Sequence, residues 1–172
     1  MQRHTLSRLA RGAVLATAFV TLSASAASAP AAPSASTALA AFNFDKPAFA
    51  HDVPFARHNV VLQVSSDDPT TWNLVLNNAQ NLLNYFGQEN IRLVVVAYGP
   101  GLPMLLKTSP VAKRIAAQDD EGVEFDACHN TMEGMAKKLG HMPVLVPQAV
   151  VVPAGVVRIL QLEKAGFQYL KP

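Results

Sequence analysis

From residue 59 onward, short apolar runs alternate with stretches whose apolar side chains recur every three or four positions, the patterns of strands and amphipathic helices in turn. Residues 59–64 (Asn-Val-Val-Leu-Gln-Val) are β-branched and predict a buried strand. Asp68 and Pro69 then open a helix: the carboxylate can cap it, and Pro fits the first turn, where a missing N–H costs nothing. Trp72, Val75, Leu76, Ala79, Leu82, Leu83 and Phe86 supply its apolar stripe, and Gly87 stops it. The other face carries Asn73, Asn77, Asn78, Gln80, Asn81 and Asn84 and no charge, so it meets either water or another subunit, where amides are cheaper to desolvate than charges.

Residues 91–98 are apolar almost throughout and predict a central strand, closed by a rigid turn at Gly99-Pro100-Gly101. Ser109-Pro110 opens a second helix through Val111, Ile115 and Ala116, ending near Gly122, and residues 123–127 form a third strand. Asn130 reads as the cap of the next helix with Glu133 as its capping-box partner, and Met132, Met135, Ala136 and Leu139 as the buried stripe. Residues 149–152 give a fourth strand, 156–165 a fourth helix ended by Gly166, and 167–170 a short fifth strand. Such alternation over about 115 residues predicts an α/β fold of three layers, a mostly parallel five-stranded sheet with helices on both faces.

The start of the chain is different. Arg3, His4, Arg8 and Arg11 precede an apolar run from Gly12 to Leu22 and then small residues around Ala24 and Ala26, the layout of a secretory signal peptide cleaved after Ala26. That run is well short of the roughly 20 residues a spanning helix needs, and no later segment is long and apolar enough either, so no stable membrane insertion is expected. Residues 1–26 are therefore read as signal peptide, 27–57 as an Ala/Pro/Ser-rich linker followed by an arm, and 58–172 as the α/β domain of a periplasmic or secreted product. In the arm, Phe42, Phe44, Phe49 and Phe55 offer four rings to bury, while Pro47 and Pro54 forbid a continuous helix; it lies on the domain or on a neighbouring subunit.

The chain has 14 Lys and Arg against 12 Asp and Glu; without Arg3, Arg8 and Arg11 the balance is 11 against 12, a formal −1. A nucleic-acid binder needs a surplus of basic side chains to displace phosphate counterions, and the body of this protein keeps none.

In an open parallel sheet, ligands gather beyond the carboxyl ends of the strands. Those ends are Ser65-Ser66-Asp67-Asp68, Tyr98-Gly99-Pro100-Gly101, Cys128-His129-Asn130-Thr131 and Pro153-Ala154-Gly155. Cys128 is the only cysteine, so it has no intrachain disulfide partner; it is an inert buried thiol, an intermolecular bridge or a reactive thiol. Standing just before a helix, its sulfur has unpaired N–H groups and the positive end of a helix dipole nearby, which favours the nucleophilic thiolate. His129 is a candidate charge or proton partner. Cys128, His129 and His141 show no CxxC, HxxxH or HExxH spacing, so neither a metal nor a resident cofactor is expected. His51 and His58 are surface or arm residues. Serines 65, 66 and 109 lack the G-x-S-x-G elbow of a hydrolase nucleophile, and Pro100 removes an N–H that a phosphate loop would use.

Taken together, residues 59–64 followed by Asp68-Pro69, residues 72–79 (WNLVLNNA), 95–101 (VVAYGPG), 125–132 (FDACHNTM) and 151–157 (VVPAGVV) resemble the exported branch of the DsrE/DsrF-like family, over about residue 58 to Pro172. The resemblance implies a small parallel α/β fold, assembly as trimers or hexamers, and a cysteine at the end of the third strand that accepts a persulfide and hands the sulfur on. Cys128 matches that cysteine. Where exported members commonly carry Gly, this chain has His129. The expected function is thus a single-cysteine sulfur carrier holding a persulfide or thiosulfonate on Cys128. His129, Asn130 and Thr131 would be auxiliary, and Ser65, Asp67, Tyr98, Gly99, Pro153 and Gly155 would form the pocket. The partner would be a sulfur donor or acceptor protein or a small sulfur compound. The rival is a non-catalytic, oligomeric small-ligand-binding or assembly protein whose cysteine is structural.

Overall fold

A computed structural model describes residues 39–40 and 42–172; the signal-peptide expectation and most of the linker lie outside them. The elements run β1 (His58–Val64), α1 (Pro69–Phe86), β2 (Ile91–Ala97), a 3-10 helix (Gly99–Leu105), α2 (Ala112–Asp120), β3 (Val123–Cys128), α3 (His129–Leu139), β4 (Ala149–Val152), α4 (Gly155–Lys164) and β5 (Gln168–Leu170). All four strand pairings are parallel, in the order β4-β3-β2-β1-β5, which puts the apolar β2 at the centre. Among the described residues no helix is long and apolar enough to cross a membrane.

The order dictates the layers. From β1 to β4 the chain steps one way across the sheet, and right-handed crossovers put every connection on one face. There α1, the 3-10 helix, α2 and α3 cover Val60, Leu62, Val95, Phe125 and Ala127. From β4 the chain returns across the whole sheet to reach the far side of β1, and the same handedness throws α4 onto the opposite face, over Val61, Val94 and Val96. Helices thus lie on both faces, as the alternation predicts.

The first helix starts as its sequence specifies: Asp68 Oδ1 accepts from Thr70 N–H at 2.9 Å, and Pro69 opens the first turn. Its amide face differs from expectation. Arg114 of α2 donates to Asn73 Oδ1 (2.6 Å) and Asn77 Oδ1 (2.8 Å), and Gln118 Nε2 donates to the Leu76 carbonyl (2.7 Å). Several of these amides therefore serve helix-to-helix packing within the chain. The Gly99-Pro100-Gly101 turn opens a 3-10 helix that buries Leu102, Met104 and Leu105 completely. Ser109-Pro110 precedes α2, whose cap is Val111.

The arm lies on its own domain, against α4 and β3. Arg158 donates to the Ala48 carbonyl (2.9 Å), Gln161 to the Asn43 carbonyl (2.6 Å), and Ala50 N–H to Glu124. Phe49 stacks on Phe167 with centroids 5.6 Å apart, with the guanidinium carbons of Arg92 and Arg158 at 4.5 and 5.2 Å from its centroid. Not all four rings are buried: Phe55 is 72% exposed and Phe44 lies under Lys164 at the surface. Of the arm-side histidines, His51 meets Asp119 at 2.9 Å, and His58 begins β1 with its ring 4.1 Å from that of Phe86.

Candidate functional site

Side chains of a strand alternate between faces. In β3, Val123, Phe125 and Ala127 point into the helix-covered core, so Glu124, Asp126 and Cys128 share the face that α4 covers. The strand ends on Cys128, which pairs in register with Val152, the last residue of β4. Beyond this pair the chain diverges, α3 leaving β3 toward one face and α4 leaving β4 toward the other. Neighbouring strands whose connections part in this way create a crevice at their carboxyl ends, the topological switch point of a parallel sheet. Cys128 is the β3 residue at that point, and it is buried.

The thiol is closer to the helix start than the sequence suggests. Cys128 itself, not Asn130, is the cap residue of α3, with φ −71° and ψ 113°, and its side chain makes no capping hydrogen bond. The capping box therefore does not form, and Glu133 instead faces His129, Oε1 to Nδ1 at 3.9 Å. Nor is the Asn130 N–H free for sulfur, because it donates to the Pro153 carbonyl at 3.2 Å and ties the exits of β3 and β4 together. First-turn N–H groups have no partner within their helix, and none of those of α3 is hydrogen-bonded to the Cys128 side chain. The Thr131 hydroxyl is engaged as well, accepting from Gly99 N–H at 2.9 Å and linking α3 to the exit of β2.

Cys128 is 5% exposed and is a free thiol. It belongs to neither of the two hydrophobic clusters that fill the faces of the sheet. Tyr98, at the exit of β2, is half-buried, and its N–H donates to the Val64 carbonyl at 3.1 Å. Its ring lies against Gly155, where a side-chain carbon would fall 2.8 Å from Tyr98 Cβ, so the first residue of α4 must be glycine for the tyrosine to sit there. Burial pushes the Tyr98 phenol above its ordinary value, with Tyr169 and then Cys128 adding to the effect as neighbouring acids. Tyr98 therefore keeps its proton and remains a hydrogen-bond donor.

Of the residues expected at the site, Cys128, His129, Asn130, Thr131, Gly99 and Pro153 are joined through chain continuity and the two tying hydrogen bonds, with Tyr98 and Gly155 as a packed pair beside them. Ser65 and Asp67 stand apart at the exit of β1, two strands away. Ser65 Oγ accepts from Gln63 Nε2 at 2.9 Å, and Asp67 is exposed. An open groove of about 320 Å³ runs on the α4 face between Gln63, Tyr98, Val156, Leu160 and Tyr169; Cys128 is not part of its lining. Tyr98 alone belongs to both neighbourhoods.

A feature that sequence reasoning passed over lies directly below the thiol. Arg158 of α4 reaches Asp126 (2.8 Å) and Glu124 (2.7 Å), and all three side chains are at most 3% exposed. The signal was in the strand itself: two acids on one face of a sheet covered on both sides demand a buried counter-ion.

No family model and no curated protein matches the chain. Among solved structures, the protein of unknown function MTH1491 from Methanobacterium thermoautotrophicum is similar over 67% of this chain and 99% of its own, with 29% sequence identity and a TM-score of 0.60. BT1422, a conserved protein of unknown function from Bacteroides thetaiotaomicron, aligns over 70% of this chain and 100% of its own, with 16% identity and a TM-score of 0.49. The likeness to the methanobacterial protein accords with the α/β fold.

Proposed function

We propose that this is an exported, DsrE-like sulfur carrier in which Cys128 holds a persulfide. The observation that carries the reading is the position of the thiol, which caps α3 at the crevice where β3 and β4 send their helices to opposite faces. In the reaction, the Cys128 thiolate attacks a sulfane sulfur of a polysulfide. A sulfur–sulfur bond forms on Cys128, the donor's sulfur–sulfur bond breaks, and its electron pair leaves with the shortened polysulfide. The N–H groups of His129 and Thr131 and the positive end of α3 stabilise the anion, and Tyr98 supplies a protonated phenol at the wall. The product acts outside the cytoplasm as a homo-oligomer, trimeric or hexameric, with a sulfur donor or acceptor as partner.

The test is to treat reduced protein with polysulfide and weigh it intact. Wild type is expected to gain sulfur on Cys128, and Cys128→Ser none. An unmodified wild type, or equal gain in both, refutes the proposal. The 5% exposure of Cys128 favours a second reading, a non-catalytic binding protein whose groove beside Tyr98 holds a small ligand. That reading predicts no sulfur adduct in the folded state.

A further inference from the structure

The buried cluster of Glu124, Asp126 and Arg158 holds two carboxyls and one guanidinium. With both acids ionised it would bury a net negative charge, which a protein interior tolerates poorly. One atom already shows the imbalance: Asp126 Oδ1 is buried without a hydrogen-bond partner. Among the described residues no other side chain forms an ion pair with the cluster. On β3 the next residue on this face is Cys128, and on β4 the residues in register with Asp126 and Cys128 are Val150 and Val152. From α4, besides Arg158, comes only the neutral Gln161; from β2, Arg92 lies against the Phe49 ring and donates to the Val53 carbonyl, not to a carboxylate. Of the arm's own ionisable groups, Asp45 pairs with Lys164 and His51 with Asp119, while Lys46, Asp52 and Arg57 are exposed.

What covers this cluster is a single passage of the arm, which turns at residues 43–46. Residues 43–46, 48 and 50 are exposed, and their backbone is held by the cluster itself, through Arg158 to the Ala48 carbonyl, Gln161 to the Asn43 carbonyl and Ala50 N–H to Glu124. We propose that the cluster is a proton-gated clasp for the arm. With Asp126 protonated the cluster is neutral and the arm stays down; losing that proton leaves a buried negative charge, and lifting the arm opens it to water. Burial, with Glu124 repulsion second and Arg158 opposing, raises the Asp126 carboxyl well above its ordinary value. Because the closed state holds the proton more tightly than the open one, closure is complete at low pH and is lost as pH rises through the raised value.

Hydrogen exchange of the amides of residues 43–51 in the intact protein, corrected for intrinsic pH dependence, reads the opening. Arm protection in wild type is expected to fall by up to about tenfold per pH unit above the solvated carboxylate value of ~3.9, until Asp126 has ionised in the closed state. Asp126→Asn fixes the neutral form and is expected to hold protection flat. A flat wild-type profile, or an Asp126→Asn profile that falls like wild type, overturns the clasp. Carboxyl-carbon NMR on wild type needs no variant: Asp126 titrating at or below the ordinary value overturns the clasp, and well above it supports it. Cys128→Ser is expected to keep the arm's pH response, so the clasp and the sulfur reading fail independently.

Discussion

Gly101→Ala is expected to damage the site from beneath. Gly101 is buried in the 3-10 helix between β2 and α2, and a methyl built on it falls 2.2 Å from the Val64 carbonyl oxygen, 2.5 Å from its carbon and 2.9 Å from Ser65 N. These are backbone atoms of β1 at its exit, and no rotamer change relieves them. Ordinary contact begins at 3.4 Å, so the helix must back away by more than an ångström. It cannot do so freely, because Tyr98 N–H is bonded to the Val64 carbonyl and Leu102, Met104 and Leu105 are fully buried behind it. Overpacking of close-packed cores costs about 1–3 kcal/mol, and rigid backbone on the far side places this case near the top, roughly 3 kcal/mol. With a urea slope of about 1–3 kcal/mol per molar, the unfolding midpoint is expected to fall by at least about 1 M. Gly134→Ala in α3 is the control. It meets nothing within 4 Å and is expected to stabilise by about 0.5–1 kcal/mol, since Ala loses less backbone entropy than Gly in a helix. A Gly101→Ala midpoint within error of wild type, or two variants of equal effect, would refute the reasoning.

Two further substitutions test how the exits and the arm are held. Thr131→Val keeps the shape of the side chain but removes the acceptor of the Gly99 N–H; a loss of about 1 kcal/mol is expected, with faster exchange of that one amide, and unchanged Gly99 exchange would show the bond to be absent. Phe49→Ala removes the ring between Phe167, Arg92 and Arg158; a loss of about 2 kcal/mol is expected, read as protease cleavage within residues 43–55 before global unfolding. Cleavage that tracks global unfolding in both proteins would mean that the ring does not hold the arm.

Elements with local signals were legible in the sequence, and contacts between distant elements were not. The Asp68-Pro69 start and Gly87 stop of α1 are spelled out by cap chemistry, and the apolar run of residues 91–97 marks the central strand through its burial on both faces. The position of Cys128 at a strand end followed from alternation alone. The helix start was misplaced because Asn130 is a good capping residue by type, yet its N–H is drawn to Pro153, a residue 23 positions away, and the helix begins at His129. The 3-10 helix was hidden by Gly99-Pro100-Gly101, whose composition signals a turn whether or not apolar residues beyond it are buried. Arg158 and its acids are separated by more than 30 residues, and only the strand order brings α4 over β3. Ser65 and Asp67 share the carboxyl edge with Cys128 but not its neighbourhood, because β2 lies between β1 and β3 in the sheet.

The proposed sulfur chemistry requires that Cys128, 5% exposed, react from the folded state. The rate at which iodoacetamide alkylates it, followed from zero to low urea, separates native reaction from reaction through unfolding. The expected rate is measurable without denaturant and flat at low urea. A rate that climbs from the first addition of urea with the full slope of global unfolding would place the sulfur behind the fold and contradict the account.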